Sequence, residues 1–144
     1  MTAKEYLRQY IIAEHRAARL AEEYEREKEM IDAIKSTSNF DGMPKNKNRK
    51  SPEEQIIKLA DKAQALKQAQ LEALKICQEI RERIEQLEFP GKENKTEKAR
   101  AMLINRYIKD MQWEQICVAM NYSWTGIHKL HRQTLALLDA EKRA

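Results

Sequence analysis

Two long apolar stripes, neither interrupted by glycine or proline, constrain this chain more than any other feature. In the first, Ala3, Tyr6, Tyr10, Ala13, Ala17, Leu20, Tyr24, Ile31 and Ile34 follow one another at alternating spacings of three and four, and Glu27 interrupts them. In the second, Ile56, Leu59, Ala63, Leu66, Gln70, Ala73, Cys77, Ile80, Ile84 and Leu87 do the same, with Gln70 as the polar member. Such spacing keeps side chains on one side of an α-helix and predicts helix-on-helix packing of coiled-coil type over 2–35 and 53–89. At 1.5 Å per residue each helix would be about 50 Å long.

Residues 36–52, S-T-S-N-F-D-G-M-P-K-N-K-N-R-K-S-P, break the periodicity and form a basic loop. Ser51-Pro52-Glu53-Glu54 then opens the second helix with a serine cap, proline at the first helical position and glutamate three residues after the cap. Pro90-Gly91 stops it. Two helices of equal length joined by one loop predict an antiparallel hairpin over 1–89, the alternative being a parallel dimer of these helices. Residues 90–95 are a linker, and Thr96 is expected to cap the first helix of a C-terminal module over 96–144.

In that module Leu103, Tyr107 and Ile108 are the core candidates of the first helix. Trp113, Ile116, Cys117 and Met120 then recur at helical spacing, Asn121-Tyr122-Ser123 interrupts, and the pattern resumes at Trp124. Asparagine tolerates the left-handed conformation that ends a helix, and Ser123 can cap the next one. This predicts helix, turn, helix, with Trp113 as a core anchor and Cys117 buried between the two helices. On the last helix Ile127, Leu130, Thr134 and Leu138 share one side, while Thr125, His128, Lys129 and Arg132 fall on the other. Trp124 is placed either to touch DNA or to lie over His128. Gly126 costs about 1 kcal/mol of helix propensity, which suits either close approach to DNA or a surface position under no demand.

The run R-Y-I-K-D-M-Q-W-E-Q-I-C-V-A-M-N-Y-S-W-T-G-I-H-K-L-H-R-Q-T-L-A-L-L, residues 106–138, resembles the helix-turn-helix of sigma-factor region four. It is more closely similar to small phage late-transcription regulators of the RinA/ArpU type, which share the layout of a charged helical front half and a C-terminal module. Ile116-Cys117 stands where region four carries isoleucine and a small residue. The resemblance implies that Trp124, Thr125, His128 and Lys129 face bases. Sigma factors commonly place arginine, glutamate, arginine and glutamine there, so no promoter sequence carries over.

The formal charge of +4 is unevenly spread. Residues 36–52 hold four basic and one acidic side chain and residues 90–144 hold ten and six, whereas both long helices are slightly acidic. A basic excess on one small module suits a polyanion partner, and mixed signs along the stripes suit solvated helix faces. With three glycines, three prolines and 35% charged residues, the expected fold class is all-α. The absence of an 18-residue apolar run and of a signal-like start predicts a cytoplasmic protein that does not enter membranes. Cys77 and Cys117 have no C-x-x-C or metal-ligand spacing and are expected as free thiols. His15, His128 and His131 form no metal or catalytic set, so neither cofactor, metal nor enzymatic activity is expected.

The function expected is that of a DNA-binding transcriptional regulator, a phage or prophage activator that docks its last helix in the major groove of double-stranded DNA. Its hairpin would contact RNA polymerase, another regulator or a second copy of the chain. Thr125, His128 and Lys129, with Trp124, are the expected base-facing residues; Arg132 and Lys109 are the expected phosphate contacts. The alternatives are a small-terminase-like DNA-packaging protein and a helical protein-interaction adaptor.

Overall fold

The computed structural model describes residues 1–37 and 51–143, and the K-N-K-N-R-K tract of the basic loop lies outside them. Helix α1 spans Ala3–Thr37 and α2 spans Pro52–Gln86. Helix α3, Glu93–Leu103, runs on into a π-helical turn at Ile104–Ile108, and α4, Trp113–Met120, precedes α5, Trp124–Arg143. The protein is all-α, and no described helix is long and apolar enough to cross a membrane.

Local chemistry starts the long helices. The Ser51 hydroxyl accepts the Glu54 N–H at 3.2 Å, as its sequence signature predicts. A second box, T-A-K-E, opens α1: Thr2 Oγ1 accepts the Glu5 N–H at 3.2 Å and Glu5 Oε2 accepts the Thr2 N–H at 3.1 Å. The two helices run antiparallel, since Tyr10 meets Arg81 (hydroxyl to Nη2, 3.0 Å) and Glu27 meets Lys62 (2.9 Å).

The chain forms two compact units, to both of which α1 and α2 contribute. In the unit spanning 15–74 the predicted stripes are the packed ones, with Ala17, Leu20, Ala63 and Ala73 buried. Glu27 does not interrupt the packing. It lies buried in the seam with its charge met by Lys62, while Lys28 and Lys67 sit over the Tyr24 ring at 5.7 and 5.5 Å.

The other unit joins residues 1–14 to 75–144. Its core is one cluster in which Leu7, Ile80, Ile84 and Leu87 are as fully buried as Met102, Leu103, Ile116 and Ile127. The sequence places a linker at 90–95 and a separate module after it; compactness draws its line elsewhere, because the first turns of α1 and the last of α2 share this core. Leu7, four residues after Ala3 and three before Tyr10, lies on the same face as both and is the fully buried member of the stripe there, whereas Tyr6, which the predicted seam takes at that point, is only partly buried. Helix α5 is fastened at its far end as well. Asp139 Oδ1 accepts the Ala3 N–H at 2.8 Å, and Glu141 pairs with Arg83 at 3.5 Å.

Thr96 is not the cap of α3, whose N-terminal boundary is Lys92. Its buried hydroxyl accepts the Phe89 N–H and donates to the Lys92 carbonyl, both at 2.9 Å, and so ties the α2–α3 connection. Gly91 supplies the left-handed residue of that turn at φ +74. Leu103 and Tyr107 are buried as expected, whereas Ile108 is partly exposed. The π-helical turn closes with Lys109 N–H on the Ile104 carbonyl at 2.9 Å, and Asp110 at φ 55 then redirects the chain towards α4.

Leu7→Ala should therefore cost about 2–5 kcal/mol, the range of a buried leucine that leaves a cavity. Both tryptophans lie in the C-terminal helices, so denaturant unfolding followed by their fluorescence reports on that part directly. An unchanged midpoint would show that those helices hold a core of their own.

Candidate nucleic-acid interface

Helices α4 and α5 form the predicted helix-turn-helix from short-range interactions. The Gln112 N–H donates to Gln115 Oε1 at 3.1 Å at the start of α4, and Ile116 is its fully buried residue. Asn121 ends the helix in the left-handed conformation at φ 57, and the Tyr122 N–H returns to the Cys117 carbonyl at 3.0 Å. Ser123 Oγ accepts the Gly126 N–H at 3.0 Å and starts α5.

Three expectations change here. Cys117 is partly exposed rather than enclosed, because Ile116 takes the inward position between the helices. Gly126 answers an internal demand: a Cβ there would stand 3.0 Å from Ser123 Oγ and 3.3 Å from the Tyr122 ring, so the cap itself occupies the space. Trp113 is an anchor through ring contacts and is only half-buried. Its indole meets His128 and His131 at 4.7 Å each and carries the Arg106 guanidinium at 4.9 Å.

Along α5 the inward side is as predicted, with Ile127, Leu130, Thr134 and Leu138 buried. Thr134 tolerates full burial because its hydroxyl donates to the Leu130 carbonyl at 2.7 Å. Thr125, Lys129 and Arg132 are exposed on the outward side, and Lys109 is exposed on a separate element, at the end of the π-helical turn. His128 is not on the free face. It is half-buried between the indoles of Trp113 and Trp124, and Trp124 leans edge-on against it at 4.5 Å with 54% of its own surface exposed. Trp124 thus lies over His128 and still offers an indole to the outside.

Behind this face His131, absent from the predicted set except as a histidine without ligand partners, is buried against Tyr107, whose hydroxyl lies 2.6 Å from Nε2. Burial pushes its imidazole down to about 4, reinforced by the cations Lys4, Arg106 and Arg8 and by His128. The Tyr107 phenol is raised by burial in turn, with Arg8 and Arg106 opposing, so the pair is neutral at physiological pH. Both cysteines are free thiols, and among the described residues no three His, Cys, Asp or Glu side chains could hold a metal.

Two outcomes follow from this geometry. Gly126→Ala should gain less than the about 1 kcal/mol that helix propensity offers, and Gly126→Val should cost about 1–3 kcal/mol; a full gain for alanine in thermal unfolding would show that the cap has room. For His131 the unfolded chain takes up a proton near 6.5 and the folded chain only near 4, so this stability is complete above pH 6.5 and is lost as pH falls towards 4. The loss should be about 2 kcal/mol, kept below the full linkage value by partial solvent screening. Urea unfolding of wild type and His131→Gln across that window isolates it, and parallel curves would contradict it.

No curated protein and no solved structure matches the chain significantly. One family model does, over residues 33–139, taking in α2, α3, α4 and nearly all of α5 and leaving most of α1 outside. On that match the chain belongs to the family described as a protein of unknown function, DUF1492.

Proposed function

We propose that this protein is a DNA-binding transcriptional regulator that docks α5 in the major groove of double-stranded DNA. The observation that carries the reading is the capped turn from α4 into α5, which leaves Thr125, Lys129 and Arg132 exposed and without side-chain partners among the described residues on one side while the opposite side is held in the core. A helix held in this way is what a B-DNA major groove admits. The excess of basic residues over 90–144 and the resemblance to region four and to phage late-transcription regulators support the same reading.

In this reading Thr125 and Lys129 reach base edges, and Trp124 contacts sugar or a thymine methyl from the platform that His128 provides. Arg132 and Lys109 contact phosphates. The hairpin is the surface for RNA polymerase, another regulator or a second copy of the chain. The protein acts in the cytoplasm by binding rather than by catalysis.

A cognate site is first selected from a pool of random duplexes, and binding is then measured across a salt series. Lys129→Ala should cost about 1–3 kcal/mol on the selected site and little on scrambled duplex. Arg132→Ala should weaken both alike and lower the salt slope by about 1. Absence of salt-dependent binding to any duplex would overturn the reading in favour of a protein-interaction adaptor.

A further inference from the structure

Within the unit that joins residues 1–14 to 75–144, a cleft of about 150 Å³ opens beside the Tyr107–His131 pair. Lys4 and Arg8 border it from α1, Arg106 and Tyr107 from the π-helical turn, Trp113 from α4, and His128 and His131 from α5. Its lining holds three permanent cations and two imidazoles and no carboxylate. Asp110 borders a neighbouring groove with Arg8 and Arg106, yet among the described residues no acid forms an ion pair with Lys4, Arg8 or Arg106. Three like charges gathered at one cleft repel one another, and an anion between them turns that cost into attraction.

We propose that this cleft is a binding site for a phosphate group, held by Lys4, Arg8 and Arg106 against the imidazole of His128. Four observations converge on it. Arg106 is oriented in advance, its Nη1 donating to the Met111 carbonyl at 3.0 Å and its plane lying over Trp113, which leaves other guanidinium donors for a ligand. Lys4 and Arg8 are one helical turn apart and so project from the same side of α1. His128 borders the cleft, and its Nε2 is enclosed without a hydrogen-bond partner among the described residues, an unmet polar atom that a small turn of the ring toward an anion in the cleft would satisfy. The size fits as well: about 150 Å³ falls below the about 300–1,000 Å³ of pockets for larger organic ligands and is several times the about 30 Å³ of one water.

The site reaches into the recognition helix. A phosphate bound there joins the start of α1 to His128, and through the ring contact to Trp124, so occupancy steadies the indole at the N-terminal end of α5. The phosphate has two sources, a free phosphorylated solute or the backbone of a bound duplex, and the chemistry of the cleft is the same for both.

The test is a titration of the full chain with inorganic phosphate, without DNA, against sodium chloride at equal ionic strength, following the imidazole signals of His128 and His131 by NMR. Phosphate should produce saturable shifts at both rings and raise the pH at which His131 protonates, since an anion offsets the cations that face it from α1 and the π-helical turn. Chloride should do neither. Arg8→Gln and Lys4→Gln, both at exposed positions outside the core, should each weaken phosphate binding about tenfold, the loss of one charge-assisted contact. Equal, non-saturating shifts with phosphate and chloride, or wild-type phosphate affinity in both variants, overturns the proposal whether or not the protein binds DNA. Duplex binding by Arg8→Gln identifies the source. Unchanged duplex affinity beside weakened phosphate affinity marks a free solute, and a parallel loss together with displacement of duplex by phosphate marks a backbone contact.

Discussion

Everything in the C-terminal half depends on burial shared between the ends of the long helices and the short helices that follow. Ile80 and Ile84 from α2, Leu87 just after it and Leu7 from α1 complete a core to which α3, α4 and α5 contribute Met102, Leu103, Ile116, Ile127 and Leu138. Helices as short as α3 and α4 enclose little apolar surface by themselves, and small assemblies of this kind need additional burial to be stable. The long helices supply it here. Asp139 on the Ala3 amide and Glu141 on Arg83 hold the last turns of α5 to the same base, so α5 is supported along its inward side over most of its length.

That support leaves the outward side of α5 available. Local interactions set the start of the helix to within a residue, with Asn121 in the left-handed region, Ser123 on the Gly126 amide and the cap crowding any side chain at Gly126. A helix whose backbone is this constrained loses little further backbone entropy when its exposed side chains engage a partner. The aromatic layer beneath works in the same direction. His128 packs between Trp113 and Trp124, so the exposed indole of Trp124 is positioned by packing rather than by a free rotamer.

The π-helical turn connects these features. Its widened hydrogen bonding carries Arg106 and Tyr107 to the point where α1, α4 and α5 meet, with Tyr107 closing on His131 and Arg106 stacking on Trp113. Burial and the cations Lys4, Arg8 and Arg106 hold His131 neutral, so positive charge gathers beside this part of α5. That clustering of charge comes from α1 and the π-helical turn, and α5 would lack it without them.

What the sequence determined by itself is the part of the structure that depends on neighbours a few residues away. The two stripes, the Ser51 cap, the Asn121–Ser123 turn and the division of α5 into a buried and an exposed side are all set by helical periodicity and by side chains bonding to their own backbone. Tertiary structure decided whatever depends on distant residues. Leu7 is core because α1 meets a second partner beyond α2, and Glu27 is buried because Lys62 lies opposite. Thr96 bonds to the end of the preceding segment instead of capping its own helix, and Cys117 yields the inward position to Ile116. His128 leaves the outer face because Trp113 offers it a ring, and Lys4 and Arg8 border one cleft with Arg106 although α1 and the π-helical turn lie far apart in the chain. Periodicity reports which side of a helix is apolar, whereas the identity of what packs there is settled by contacts between residues far apart in the chain.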